Sequence, residues 1–266
     1  MKSIVPHLWF DDTAREATTF YTSLFDASGI TSSTVFHNTP SGDTEVIRFN
    51  LSGHPFEAIS AGPYFSFNPT ISLMVSPNSA QEVDALWRAL SEGGTPLMPL
   101  GGYPFSPRYG WVQDRYGLSW QLILQNDTPG HRIRPSLLFS GDACGRAEEA
   151  IAFYTGLFED SAIESVSRYD AGEAVSPAAR VKYASFRLLG EAFVAMDNAT
   201  GGDFAFSEAF SLIVYCDTQQ EIDDLWDKLS AVPEAESCGW LKDRFGVSWQ
   251  VVPRALPDML SSGDDA

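Results

Sequence analysis

The sequence predicts an α+β fold built from one module repeated in tandem, and three observations lead there. The eleven residues WVQDRYGLSWQ at 111–121 return as WLKDRFGVSWQ at 240–250 without a gap. Shorter matches recur in the same order, 20–25 with 153–158, 71–75 with 210–214 and 84–87 with 223–226. Within each copy, stretches of period-two hydrophobicity alternate with stretches of period three to four.

The first copy opens with a strand at Ile4–Phe10. A helix follows from Thr13, its apolar Ala17, Phe20, Tyr21 and Leu24 spaced for one face. Strands at 45–51 and 56–59 flank the turn Ser52-Gly53-His54-Pro55. The unit then begins again, with a strand at Ile71–Val75 and a helix capped by Asn78 or Ser79 that carries Val83, Leu86, Trp87 and Leu90. A closing hairpin joins 110–113 to 118–124 through Asp114-Arg115-Tyr116-Gly117, where Asp initiates the turn and Gly supplies positive φ. With the second copy the chain reads as four βαβββ units.

The offset between copies starts at 133, rises to 139 and falls to 129, so the second copy lacks about ten residues before its last hairpin. The surplus in copy one, 97–109, is rich in Gly and Pro and predicts a loop covering the first cup. The expected domains are 1–126 and 135–254, joined by a linker at 127–134 and followed by an acidic tail at 255–266.

The residues 239–250 and their first-copy partner, the Phe-Tyr-x-x-Leu-Phe helix ends and 67–72 carry a resemblance over nearly the whole chain. The chain resembles the PhnB-like branch of the vicinal-oxygen-chelate (glyoxalase/bleomycin-resistance/dihydroxybiphenyl dioxygenase) superfamily, a branch often labelled 3-demethylubiquinone-9 3-methyltransferase. The resemblance implies two tandem glyoxalase-like domains of curled mixed sheets, two units to a cup. Many relatives reach this arrangement as dimers, so the tandem chain looks like a fused pseudo-dimer, a monomer or a homodimer of such chains. A methyltransferase using S-adenosylmethionine is not expected, because Gly101-Gly102 does not lie between a strand and a helix.

Superfamily enzymes hold a divalent metal inside the cup. The resemblance puts Val5, Thr70, Arg134 and Ala209 at the first-strand ligand positions, and Gln121 and Gln250 at the last-strand carboxylate. None is a strong metal donor. The metal site is thus expected to be degraded, and no cofactor is expected. The alternative is a divalent metal in the first domain on His7 and Gln121, serving a glyoxalase-like lyase, isomerase or dioxygenase.

Strand parity places His7, Trp9, Thr70, Ser72, Ser119 and Gln121 in the first cup, and Ser136, Ser211, Ser248 and Gln250 in the second. Hydroxyls and amides over aromatics suit a polar small-molecule ligand, and they also suit side chains that satisfy one another. Ligand binding is expected from Trp9, Thr70, Ser72, Ser119, Gln121, Tyr103, Ser211 and Gln250. His7 and Glu57 are the candidates for proton transfer if any reaction occurs. Trp87, Trp120, Trp226, Trp249 and Cys238 are expected to pack.

The net charge of −18 argues against nucleic-acid and anionic-membrane partners and does not identify a substrate; the small-molecule partner is what the cup residues and the resemblance imply. No apolar run reaches the roughly 18 residues of a membrane span, and the first residues lack a signal-peptide pattern. The three cysteines, Cys144, Cys216 and Cys238, show no paired spacing and are expected to be reduced. A cytoplasmic small-molecule binding protein is the expectation.

Overall fold

The computed structural model describes residues 3–39, 41–125 and 133–256. Residues 127–132 of the expected linker, and 257–266 of the expected tail, lie outside the described residues. The first half of copy one is β1 (Ile4–Phe10), α1 (Ala14–Leu24), β2 (Gly29–Thr39), β3 (Gly42–Leu51) and β4 (His54–Ser60). Its second half is β5 (Ile71–Val75), α2 (Ala80–Ser91), β6 (Thr95–Tyr103), β7 (Ser106–Gln113) and β8 (Ser119–Ile123). Copy two begins with β9 (Ile133–Phe139), α3 (Ala147–Leu157), β10 (Ala162–Arg168), β11 (Val181–Leu188) and β12 (Glu191–Asp197). It ends with β13 (Phe210–Cys216), α4 (Gln219–Leu229), β14 (Trp240–Lys242) and β15 (Ser248–Pro253).

The local chemistry explains the helices. In α1, Ala14, Ala17, Thr18 and Tyr21 form the buried stripe, and Ala147, Ala150, Ile151 and Tyr154 repeat it in α3. Ser79 caps α2 by accepting from the Glu82 N–H, and Glu82 accepts from the Asn78 N–H. Thr218 and Glu221 form the reciprocal capping box of α4.

The two sheets do not follow the two sequence copies. One sheet has the order β14-β15-β13-β1-β4-β3-β2, and the other β10-β11-β12-β9-β5-β8-β7-β6. Each takes one half of copy one and one half of copy two. The joins are antiparallel, β1 on β13 with His7 opposite Ser211, and β5 on β9 with Ser72 opposite Ser136. The chain accordingly divides into two compact units, each with one sheet. This corrects the cups expected from parity. Parity assigns a residue to a face, but not its strand to a sheet. His7 and Trp9 lie in the first sheet, whereas Thr70, Ser72, Ser119 and Gln121 belong to the second unit.

Four further expectations are revised. Residues 97–109 are not a loop, because most of them form the β6–β7 hairpin. Pro96 and Pro99 are tolerated there because β6 is a sheet edge, and register shifts absorb the irregularity. The fourth unit lacks the counterpart of β6 among the described residues, a short 3-10 turn at Pro233–Ala235 standing in its place. That is where the missing ten residues fall. Strand β9 starts inside the expected linker, at Ile133. Cys238 does not pack in the core: it is exposed, on a backbone with φ of 50°.

Candidate functional site

In each sheet one face carries the helices. Leu8, Ala58, Leu212 and Trp249 point into that side of the first unit and are buried. Trp120 and Trp249 are fully buried, and their indole N–H groups donate to Asp114 and Asp243. The same carboxylates accept from the backbone of their own turns, 2.8 and 3.1 Å for Asp114, 2.8 and 3.0 Å for Asp243. The Asp-x-x-Gly motif is therefore a turn braced by a tryptophan. Arg115 and Arg244 lie over the neighbouring Tyr116 and Phe245 rings, each at 5.0 Å.

The opposite face of the first sheet holds one register row of polar side chains. Arg48, Glu57, His7, Ser211, Ser248 and Lys242 follow one another across it. Glu57 is taken up by Arg48 Nε at 3.1 Å and by the Tyr215 hydroxyl. Burial, then the Glu57 carboxylate, pushes the Tyr215 phenol up. Gln250 donates to Ser211 at 3.0 Å, and Ser211 meets His7 Nδ1 at 3.4 Å. Trp240 packs edge-on to both His7 and Trp9, at 5.4 and 6.1 Å, and Trp9 Nε1 donates to Gly62 O at 2.8 Å. The structure thus brings together His7, Glu57, Trp9, Ser211, Ser248 and Gln250.

Burial lowers the His7 imidazole to about 3. Unfolded, the same group titrates near 6.5. Between these values the unfolded chain binds the extra proton, so stability is lost as pH falls from 6.5 toward 3. The slope for one such proton approaches about 1.4 kcal/mol per pH unit. His7→Gln is expected to abolish this component. Its unfolding free energy, measured in urea beside the wild type from pH 7.5 to 4.5, should fall less steeply by that amount. Parallel curves would show that His7 is not desolvated.

The second sheet bears a different surface. Its corresponding row is Ser185, Val194, Ser136, Ser72, Ser119 and Gln113, without charge. Gln121 sits above it and is held at both ends. Its Nε2 donates to Ser72 at 2.7 Å and Ser136 at 3.4 Å, and its Oε1 accepts from Tyr109 at 2.8 Å. Trp111 Nε1 donates to Ser119 at 2.7 Å. Burial, with a smaller contribution from Tyr103, pushes the Tyr109 phenol up, so it stays a donor.

A cavity of about 510 Å³ opens on this face. Met74, Met98, Ile123, Leu138 and Met196 supply apolar walls, and Tyr109, Trp111, Tyr183 and Gln121 supply aromatic and polar surface. Phe105, at the tip of the hairpin, also lines it and stacks edge-on to Tyr109 at 5.0 Å. The surplus segment is thus a wall of this cavity. Tyr103 supports it, stacking on Phe105 at 5.6 Å while its hydroxyl donates to Pro99 O. Thr70 is buried in the turn before β5, its hydroxyl bonded to Asn68 at 2.5 Å. Asp197 lines the cavity, but its two oxygens accept from four backbone N–H groups, those of Gly145, Ala147, Arg180 and Val181.

Sequence reasoning overlooked Tyr109, Trp111 and the methionines. Tyr109 was hidden by the loop expectation. Trp111 had a signal, because it opposes Gln121 in any hairpin closed by Asp114-Gly117. The methionines come from three strands that pattern alone does not align.

The superfamily's metal positions do not fit a divalent cation here. Gln121 gives its oxygen to the Tyr109 hydroxyl, Thr70 donates its hydroxyl to Asn68 Oδ1, and the Arg134 guanidinium occupies another of the positions on the same face. His7 and Gln121 are in different sheets. No group of three His, Cys, Asp or Glu side chains converges as a metal site among the described residues. Among the described residues, too, no helix is long and apolar enough to cross a membrane.

Comparisons with known proteins agree with the architecture. Glyoxalase I from Zea mays superposes over 100% of this chain and 98% of its own, with a TM-score of 0.62 at 13% identity, a likeness of fold alone. A PhnB protein from Bacillus cereus is 41% identical over 46% of this chain and 98% of its own, with a TM-score of 0.44. A protein from Staphylococcus aureus is 33% identical over 46% of this chain and 94% of its own, with a TM-score of 0.20. No curated protein matches the chain. The family model described as 3-demethylubiquinone-9 3-methyltransferase matches twice, over residues 2–123 and 131–252. With two matches covering nearly its whole length, the chain belongs to that PhnB-like family of the vicinal-oxygen-chelate superfamily and carries its domain twice in tandem.

Proposed function

We propose that the protein binds a small molecule in the cavity of the second sheet, without a metal and without chemistry on the ligand. The observation that carries this reading is the cavity itself. At about 510 Å³ it falls within the usual range for small-molecule sites, roughly 300–1,000 Å³. Thioether and aromatic walls adapt to an apolar body, and the fixed Gln121–Tyr109 pair offers one oriented polar point. The two acidic or basic groups expected to move protons are poorly placed for it. Glu57 is engaged by Arg48 and Tyr215, and His7 is neutral and buried. Because one chain supplies both halves of each sheet, we also propose that a monomer suffices for binding.

The test is a fluorescence titration with N-phenyl-1-naphthylamine, a neutral apolar probe, on protein dialysed against EDTA. Saturable one-to-one binding is expected, unchanged when Ni²⁺, Mn²⁺, Co²⁺ or Zn²⁺ is restored. Met196→Trp, which fills the cavity, should weaken it at least about tenfold while circular dichroism stays the same. Binding that needs a metal, or that ignores Met196→Trp, would refute the proposal.

A further inference from the structure

Arg134 is 4% exposed, on β9, and it faces the same side as Met74 and Gln121. Its partners are all neutral. One guanidinium nitrogen donates to Ser76 at 2.9 Å and Gln125 at 3.3 Å, and the other meets the Tyr183 hydroxyl at 3.4 Å. Its Nε is buried and has no partner. No carboxylate pairs with it among the described residues, although the chain carries 35 acidic residues against 17 basic ones. This is a buried charge with no counter-ion among the described residues.

The fold does not require it. The duplicate of this position in the first sheet is Val5, which packs in an apolar cluster with Ile213, Tyr215 and Val252. The arginine is therefore a local choice made at a cost in stability. Arg134 stands directly behind the lining: two of its partners, Tyr183 and Gln125, line the cavity. Lys182, also on the lining, is already paired with Glu173.

We infer that the ligand of this cavity is an anion, with an apolar or aromatic body against the methionines and a carboxylate, sulfonate or phosphonate group received by Arg134. The unpaired Nε supplies one donor to an acceptor oxygen, and the long contacts to Gln125 and Tyr183, at 3.3 and 3.4 Å, are the ones a second oxygen would replace. This inference rests on the cavity being the binding site.

A matched pair of probes separates the two ideas. 8-Anilinonaphthalene-1-sulfonate is N-phenyl-1-naphthylamine with a sulfonate added. On a chain of net charge −18 the general field disfavours the sulfonate, so tighter binding of it has a local cause. The wild type is expected to bind the sulfonate more tightly. Arg134→Met should weaken it at least about 20-fold and leave the neutral probe within about threefold. Arg134→Lys, which keeps the charge without the fork, should fall between; it also serves if Arg134→Met does not fold. Equal affinity for both probes, or a sulfonate affinity indifferent to both substitutions, overturns the anion inference while the cavity reading stands. Failure of both probes to bind the wild type removes the cavity reading and this inference with it.

Discussion

Asp243→Ala is expected to destabilise the protein by about 3–5 kcal/mol, because it strands three donors at once. The Asp243 side chain is 1% exposed and accepts from Phe245 N, Val247 N and Trp249 Nε1. An unsatisfied buried donor costs about 1–3 kcal/mol, and this turn is closed under a fully buried indole. Asp243→Asn keeps one acceptor oxygen but turns an amide N–H₂ toward a donor, so about half of the loss should remain. Asp114→Ala should behave alike, since its three bonds are the same. Urea midpoints at constant slope measure the effect. A loss below about 1 kcal/mol would mean that the aspartates act only as turn formers.

Gly110→Ala is expected to cost about 3 kcal/mol, for a steric reason. A Cβ at this position would lie 2.5 and 2.7 Å from two Trp87 ring carbons and 3.2 Å from Leu100 Cα. The indole of α2 thus lies against the bare backbone of β7, and the added methyl has nowhere to go unless Trp87 leaves. The double variant Gly110→Ala, Trp87→Leu should recover part of the loss, because the smaller side chain removes the clash that the first change creates. Additive losses in the pair would show that Gly110 matters for backbone freedom instead.

Much of the fold was legible because it is local. Ala17 and Tyr21 of the α1 stripe, the Ser79 cap and the Asp114-Gly117 turn are all written within a few residues, although Ala14 and Thr18 complete the buried stripe in place of the expected Phe20 and Leu24. The duplication made the second copy readable from the first. What the pattern hid was non-local. Alternation shows that His7 and Gln121 are inward-facing in their own strands, but nothing in it says that β1 joins β13 while β8 joins β5. The β6–β7 hairpin was masked by prolines that only an edge strand tolerates. Arg134 was judged as a metal ligand and dismissed. Its meaning needed burial and partners: it is 4% exposed and bonded to the neutral Ser76, Gln125 and Tyr183, two of which line the cavity.

Affinity for N-phenyl-1-naphthylamine in three variants tests most directly whether the two copies jointly build one binding cavity. Met74 comes from copy one, Met196 from copy two, and both line the cavity, whereas His7 belongs to the other sheet. Met74→Trp and Met196→Trp should each lower the affinity at least about tenfold, and His7→Gln should leave it unchanged. Loss on His7→Gln, with binding retained in both tryptophan variants, would contradict the account and move the site to the first sheet.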